Sequence, residues 1–265
     1  MTFDMLSRFS SCALTASLLV ASVSAQAAHP LLTDDTGTQG EGNWQLEVNT
    51  DHTRVRDEVN TSWARTASVA LTRGVTGALD LAFSVPWMQV SEPGEEHRQG
   101  VGDTTLQAKW RFHEDENGWS LALRPAVLLP AGSVSKGLGN GRMSAGVALI
   151  SALERGAWTW LANAGYTWND NKIGDRKQLW SLSTALLHSF TPRWSLAMDV
   201  GISRSADPRV NHNKYGLIGV IHHAGKNLDL DIGWRRSLGA APAANTLGAG
   251  MTRRWQPGRE PGRQI

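Results

Sequence analysis

The chain has 265 residues, of which 41% are hydrophobic and 19% charged, a balance that excludes an intrinsically disordered protein. Its 26 Lys and Arg against 24 Asp and Glu leave a formal charge of +2, too little for the basic face of a nucleic-acid binder. Twelve tryptophans stand against five phenylalanines and two tyrosines, an inversion of ordinary aromatic usage that needs a physical cause.

Residues 13–23, Ala-Leu-Thr-Ala-Ser-Leu-Leu-Val-Ala-Ser-Val, form an apolar stretch of signal-peptide length, and Ala25-Gln26-Ala27 supplies a small-x-small cleavage site. Residues 1–27 are therefore expected to be removed, leaving Ala28 as the first mature residue. The single cysteine, Cys12, goes with them, so the exported chain must be stabilised by hydrogen bonding and packing rather than disulfides. Residues 28–41 are expected to form a periplasmic N-terminal segment ahead of the first strand.

Beyond the signal no run of 18 apolar residues occurs, which argues against transmembrane helices, and period-two alternation dominates instead. Trp44, Leu46 and Val48 alternate with Gln45, Glu47, Asn49 and Asp51. Leu79, Leu81, Phe83, Val85 and Trp87 alternate with Asp80, Ala82, Ser84 and Pro86. Leu106, Ala108, Trp110 and Phe112 are set against Thr105, Gln107, Lys109 and Arg111. Trp194, Leu196, Met198, Val200 and Ile202 oppose Ser195, Ala197, Asp199 and Gly201, and Leu228, Leu230, Ile232 and Trp234 oppose Asp229, Asp231, Gly233 and Arg235. Each pattern is a strand with one apolar and one polar face. Turn residues divide the rest into about twelve strands: 42–55, 59–73, 78–90, 102–113, 118–130, 142–154, 157–169, 177–190, 194–204, 214–224, 227–238 and 244–255.

The connections alternate between tight ones (74–77, 114–118, 155–156, 191–193, 225–226) and mostly longer ones (91–101, 131–141, 170–176, 205–213, 239–243), with 56–58 departing from the rule. Short turns at one end, long loops at the other and an even strand number describe an all-β, antiparallel up-and-down transmembrane barrel spanning 42–255, followed by a polar tail at 256–265. Trp44, Trp119, Trp158 and Trp194 fall at strand starts, and Trp87, Trp110, Trp168, Trp234 and Trp255 near strand ends. Indoles favour the headgroup level, so two such rings bounding an apolar band form the girdles of a membrane barrel. A soluble sandwich with a tryptophan core is the competing architecture.

Three stretches carry a family resemblance. Gly100-Val-Gly-Asp-Thr-Thr-Leu-Gln-Ala-Lys-Trp-Arg-Phe112, Leu123-Arg-Pro-Ala-Val-Leu-Leu-Pro-Ala-Gly132 and Thr72-Arg-Gly-Val-Thr-Gly-Ala-Leu-Asp-Leu81 resemble the paired motifs and the strand-turn-strand element of the meta-pathway phenol-degradation outer-membrane family. The resemblance runs from about 42 to 255. It implies an outer-membrane barrel that helps substrates, aromatic ones among them, across the membrane. The family's loop motif usually carries Thr where this chain has Ala131, and here Trp255, the terminal aromatic, is followed by ten further residues.

Other constellations point to little chemistry. Gly137-Leu-Gly-Asn-Gly141 lacks the lysine of a P-loop and the spacing of a dinucleotide fingerprint, and reads as an extracellular loop. His222 and His223 are adjacent, so on a strand they point to opposite faces and cannot chelate one metal. His188 beside Ser189 diverges for the same reason, because a nucleophile and its base must reach each other from separate strands. No cofactor or metal motif is present, and no enzymatic role is expected.

With the apolar phases against lipid, Glu47, Asp51, Asp80, Lys109, Arg111, Arg124, Asp199, Asp229, Asp231 and Arg235 turn inward as lumen-lining candidates. They either pair across neighbouring strands or line a polar conduit. Lys109, Arg111 and Arg124 are expected to form a basic stripe facing Asp80. Arg65 sharing a face with Trp63, Val69 and Leu71 does not fit the phase. The expected function is uptake or diffusion of small molecules, aromatic compounds among them, in the cell outer membrane. Its expected partners are outer-membrane lipid, the barrel-assembly machinery and a small aromatic or hydrophobic permeant. The competing classes are an outer-membrane enzyme acting on lipid and a structural or sensing barrel with a filled lumen.

Overall fold

The computed structural model describes residues 29–56, 60–240 and 242–257. The expected signal peptide with Cys12 and its cleavage site, and residues 258–265 of the tail, lie outside the described residues. The strands run in chain order as β1 (Trp44–Arg56), β2 (Thr61–Gly74), β3 (Leu79–Ser91), β4 (Arg98–Val101), β5 (Thr104–Glu114), β6 (Trp119–Leu129), β7 (Ser144–Arg155), β8 (Trp158–Trp168), β9 (Gln178–Thr191), β10 (Trp194–Arg204), β11 (His212–Gly225), β12 (Leu228–Ser237) and β13 (Ala244–Trp255). Each wall strand pairs antiparallel with its neighbours, and β1 pairs with β13 from Trp44↔Trp255 to Val55↔Ala244, closing the sheet. Closure is what lipid requires, since an open edge would leave backbone donors and acceptors unsatisfied in hydrocarbon.

The wall has twelve strands, as the alternation predicts; β4 is the addition. It extends the β3 hairpin beyond the wall, pairing Trp87↔Val101 through Val90↔Arg98, while β5 pairs with the other half of β3, Leu79↔Trp110 through Ser84↔Thr105. Sequence periodicity misses β4 because four residues are too short to show a period.

The apolar phases face outward. Leu81, Phe83, Leu106, Trp110, Val200 and Ile232 are all exposed on the barrel exterior, whereas Asp80, Ala82, Glu47 and Asp199 are buried inside. A soluble sandwich would seal that apolar face with a second sheet; here it stays open, as a lipid-facing surface must. Trp44 and Trp255 stack with centroids 6.3 Å apart where the first and last strands meet. The tight turn after β5 is held by Asp115, which accepts from the backbone N–H groups of Trp119 and Asn117, each at 2.9 Å. Those bonds, that from Trp119 first, keep the Asp115 carboxyl below the ordinary carboxylate range. Arg65 lies on the exterior after all: its guanidinium sits 5.1 Å over the Trp63 ring near the long-loop end of β2, where a long side chain can reach the headgroup level.

Phe83→Arg should lower the stability of the folded barrel in a bilayer by about 2–4 kcal/mol, because Phe83 faces lipid midway along β3 between Leu79, which is opposite Trp110, and Trp87. Denaturant titration in liposomes checks this, and a midpoint equal to that of the unaltered protein would reverse the facing assignment.

Candidate functional site

The interior of the barrel is occupied by the chain's own N-terminal segment. Short turns mark the periplasmic end, and there the backbone enters beside β2: Gly42 N donates to Gly74 O at 3.0 Å and Gly74 N to Asn43 O at 2.9 Å. A Cβ at Gly74 would lie 1.7 Å from Gly40 O, so only glycine permits this approach, and Gly40 itself has φ +77°. From that point residues 39 to 29 run inward and around the wall. The segment expected in the periplasm lies in the lumen.

Most of the path is held by inward side chains. Gln39 N donates to both carboxylate oxygens of Asp80, at 3.1 and 3.0 Å, and Thr38 Oγ1 donates to Gly77 O at 2.8 Å. Thr36 Oγ1 and Ser120 Oγ are 2.6 Å apart. Asp34, fully buried, receives Arg124 Nη1 at 2.7 Å and Lys109 Nζ at 3.1 Å, with Asp35 3.5 Å from the same ammonium. Further on, Asp199 accepts from Leu32 N at 2.7 Å, Thr33 N at 2.8 Å, Thr33 Oγ1 at 2.8 Å and Tyr215 OH at 2.9 Å. Leu31 fills an apolar recess made by Ala152, Leu161, Ala185, Ala197 and Leu217. His29 ends the path between Asp231, to which its Nδ1 is bonded, and Asp51, 3.8 Å from its Nε2.

Glycines on the inner wall clear the space. A Cβ at Gly219 or Gly233 would come within 2.5 or 2.6 Å of the Pro30 ring, and one at Gly248 or Gly250 within 2.8 Å of the His29 imidazole. Gly233→Val should therefore dislodge the segment while leaving the wall intact. The test uses a Thr36→Cys variant of the mature chain, otherwise free of cysteine. That thiol, buried at 3% exposure for the native side chain, should resist a maleimide in the parent and react in the Gly233→Val background. Equal protection in both would remove the glycine argument.

The ten inward candidates divide accordingly. Asp51, Asp80, Lys109, Arg124, Asp199 and Asp231 touch the N-terminal segment, and Arg235 reaches it through Asp51 at 3.9 Å. Glu47 is buried beside Gln39, Gln45, Thr72, Asp80, Ala82, Gln107 and Lys109 around a water-sized cavity. Asp229 bonds His223 and Arg254, outside the segment's path. Arg111 sits at the periplasmic rim, 3.4 Å from Glu114. Of the expected basic stripe, Lys109 is in register with Asp80 on the adjacent strand, and its ammonium is bonded to Asp34. A flexible carboxylate entering the lumen can approach both cations, whereas Asp80 is held on the wall.

At the extracellular end Asp103 accepts from Gly132 N at 3.0 Å and Asn140 N at 2.8 Å, pinning the 130–143 loop. Gly132 and Gly139 touch backbone to backbone, and Leu138 is buried against Ala64, Met88 and Val90 inside the mouth. The Gly137–Gly141 stretch is this loop and not a phosphate cradle. On the next loops Arg176 Nη1 donates to the carbonyls of Ser205, Asp207 and Val210. Asp207 is held below the ordinary carboxylate range by its hydrogen bonds to Arg209. Among the described residues no group of three His, Cys, Asp or Glu side chains could hold a metal ion.

The residues that carry the sequence resemblance are those that receive the N-terminal segment and the loop: Gly74, Gly77 and Asp80, then Asp103 and Lys109, then Arg124 and Gly132. A family model described as "Putative MetA-pathway of phenol degradation" matches residues 27–255. The chain belongs to this family. Among solved structures, the phenol-degradation-family barrel is similar to the COG4313 outer membrane channel from Pseudomonas putida F1, with 15% identity over 83% of this chain and 98% of that one and a TM-score of 0.70. It is also similar to the KdgM porin, with 8% identity over 78% of this chain and 98% of that one and a TM-score of 0.56. Among curated proteins none matches the sequence. The family barrel is a twelve-stranded outer-membrane fold.

Proposed function

We propose that the protein is a channel for uptake or diffusion of small molecules, aromatic compounds among them, across the outer membrane. The observation that carries this reading is the occupant of the lumen. Wall side chains alone do not fill the barrel; a separate extended segment does, held by hydrogen bonds and ion pairs at Asp80, Lys109, Arg124, Asp199 and Asp231. A lumen that admits a peptide chain admits a small molecule once that chain shifts. The family's association with phenol degradation and the channel named among similar folds support the same reading. Passage itself needs no chemical step.

Cells that carry the barrel should accumulate radiolabelled phenol or benzoate from dilute medium faster than cells from which the gene is deleted. The difference should return on complementation. Equal initial rates with and without the barrel would overturn the proposal.

A further inference from the structure

Residues on three adjacent strands meet at the periplasmic mouth in an arrangement the transport reading does not use. Ser195 Oγ on β10 lies 3.1 Å from His223 Nε2 on β11, and His223 Nδ1 lies 2.7 Å from Asp229 Oδ1 on β12. Asp229 is in turn fixed by Arg254 Nη1 at 2.6 Å, which is bound through Nε to Gln45 at 2.8 Å. Register makes the contact: His223 is directly opposite Asp229, and Ser195 is opposite Ile221, two residues from His223 on the same face. Ser189 on β9, opposite Ser195, places its hydroxyl 2.9 Å from Ser195 Oγ.

We infer that Ser195, His223 and Asp229 form a nucleophilic triad that cleaves small carboxylic esters entering from the periplasmic side. Asp229 accepts the Nδ1 proton and so fixes the tautomer that leaves Nε2 free to take the serine proton, the relation of nucleophile, base and orienting acid that acyl transfer requires. His223 is partly open, at 36% side-chain exposure, whereas Ser195 is recessed at 3%. A narrow acyl group such as acetyl can therefore enter and a long fatty chain cannot. Ser195 Oγ bonds to the ester carbonyl carbon while its proton passes to Nε2. The alkoxy carbon–oxygen bond breaks and the leaving oxygen takes that proton. Water then adds to the acyl-serine, gives a proton to Nε2, and the acid departs as Ser195 recovers its proton, so ester and water become acid and alcohol. The Ser189 hydroxyl is a donor for the developing oxyanion.

The two neighbouring pairs that sequence adjacency offers do not compete. His188 turns outward and stacks on Trp158 with centroids 4.0 Å apart, and His222 turns outward against Trp194 at 4.2 Å. The triad also lies clear of the segment in the lumen, so it does not depend on the uptake reading.

The purified mature barrel in detergent micelles should form one adduct with a fluorophosphonate probe, mapped to Ser195 by peptide mass spectrometry, and should hydrolyse p-nitrophenyl acetate. Ser195→Ala should abolish both, and His223→Gln should slow both by about a hundredfold or more. Heat-modifiable gel migration shows that each variant is folded. No adduct on Ser195 in the folded protein would overturn the inference, and so would labelling that His223→Gln leaves unchanged.

Discussion

Deletion of residues 29–40 raises the single-channel conductance of the reconstituted barrel by about tenfold or more. The segment crosses the interior from Asp80 on β3 past Lys109, Arg124 and Asp199 to Asp231 on β12, and Leu31 and Pro30 pack against the wall on the way. Its removal leaves a twelve-stranded barrel whose inward side chains include Ala82, Ala152, Ala185 and Ala197, too small to close the space. Eight strands give an interior that side chains can fill, and sixteen to eighteen give an open aqueous pore; twelve strands with small inward residues fall on the open side of that division. A synthetic peptide of residues 28–43, added from the periplasmic face, should restore the low conductance. Unchanged conductance in a deletion variant that still shows heat-modifiable migration would mean that the wall closes the lumen, and the filled-barrel class would replace the channel.

Asp34→Asn releases the segment without removing it. Lys109 and Arg124, 14% and 9% exposed at the side chain, share this one fully buried carboxylate. Neutralising Asp34 takes the carboxylate from the buried Arg124 and leaves Lys109, on the adjacent strand, with only the more exposed Asp35 at 3.5 Å. Breaking a buried pair in this way costs about 3–5 kcal/mol, because a desolvated charge is left without a partner. Since the segment is tethered, the cost should emerge as local opening rather than global unfolding. The Thr36→Cys thiol should react with maleimide at least about a hundredfold faster in the Asp34→Asn background, with the thermal transition of the wall little changed. A combined Asp34→Leu, Lys109→Met, Arg124→Met variant should recover much of the protection, because well-packed apolar groups can replace a buried ion pair without loss. Protection in Asp34→Asn equal to the parent would show that Asp199 and the glycine surface hold the segment by themselves.

Both results concern the same segment, and the family motifs reach beyond it. Gly74, Asp80, Lys109 and Arg124 receive the segment, while Asp103 and Gly132 pin the extracellular loop. A motif spread over four strands and their connections thus holds the segment at one end of the barrel and the loop at the other.

The alternation at 79–87, 104–112, 194–202 and 228–235 determined the wall and which face meets lipid, because a strand's side chains alternate with period two and a bilayer demands an apolar exterior. The same alternation turned the ten charged candidates inward. What it could not determine was their partners. Asp34 lies 75 residues from Lys109 and 90 from Arg124, and the acids and amides of residues 29–40 have no period of their own, so they read as an exposed leader. The traces left in the sequence were the inward glycines at 219, 233, 248 and 250, whose missing side chains mean nothing until Pro30 and His29 are seen against them. The grouping of Ser195, His223 and Asp229 has the same origin. Adjacent residues on a strand diverge, so chemistry inside a barrel is assembled across strands, and only the register of closure decides which side chains meet.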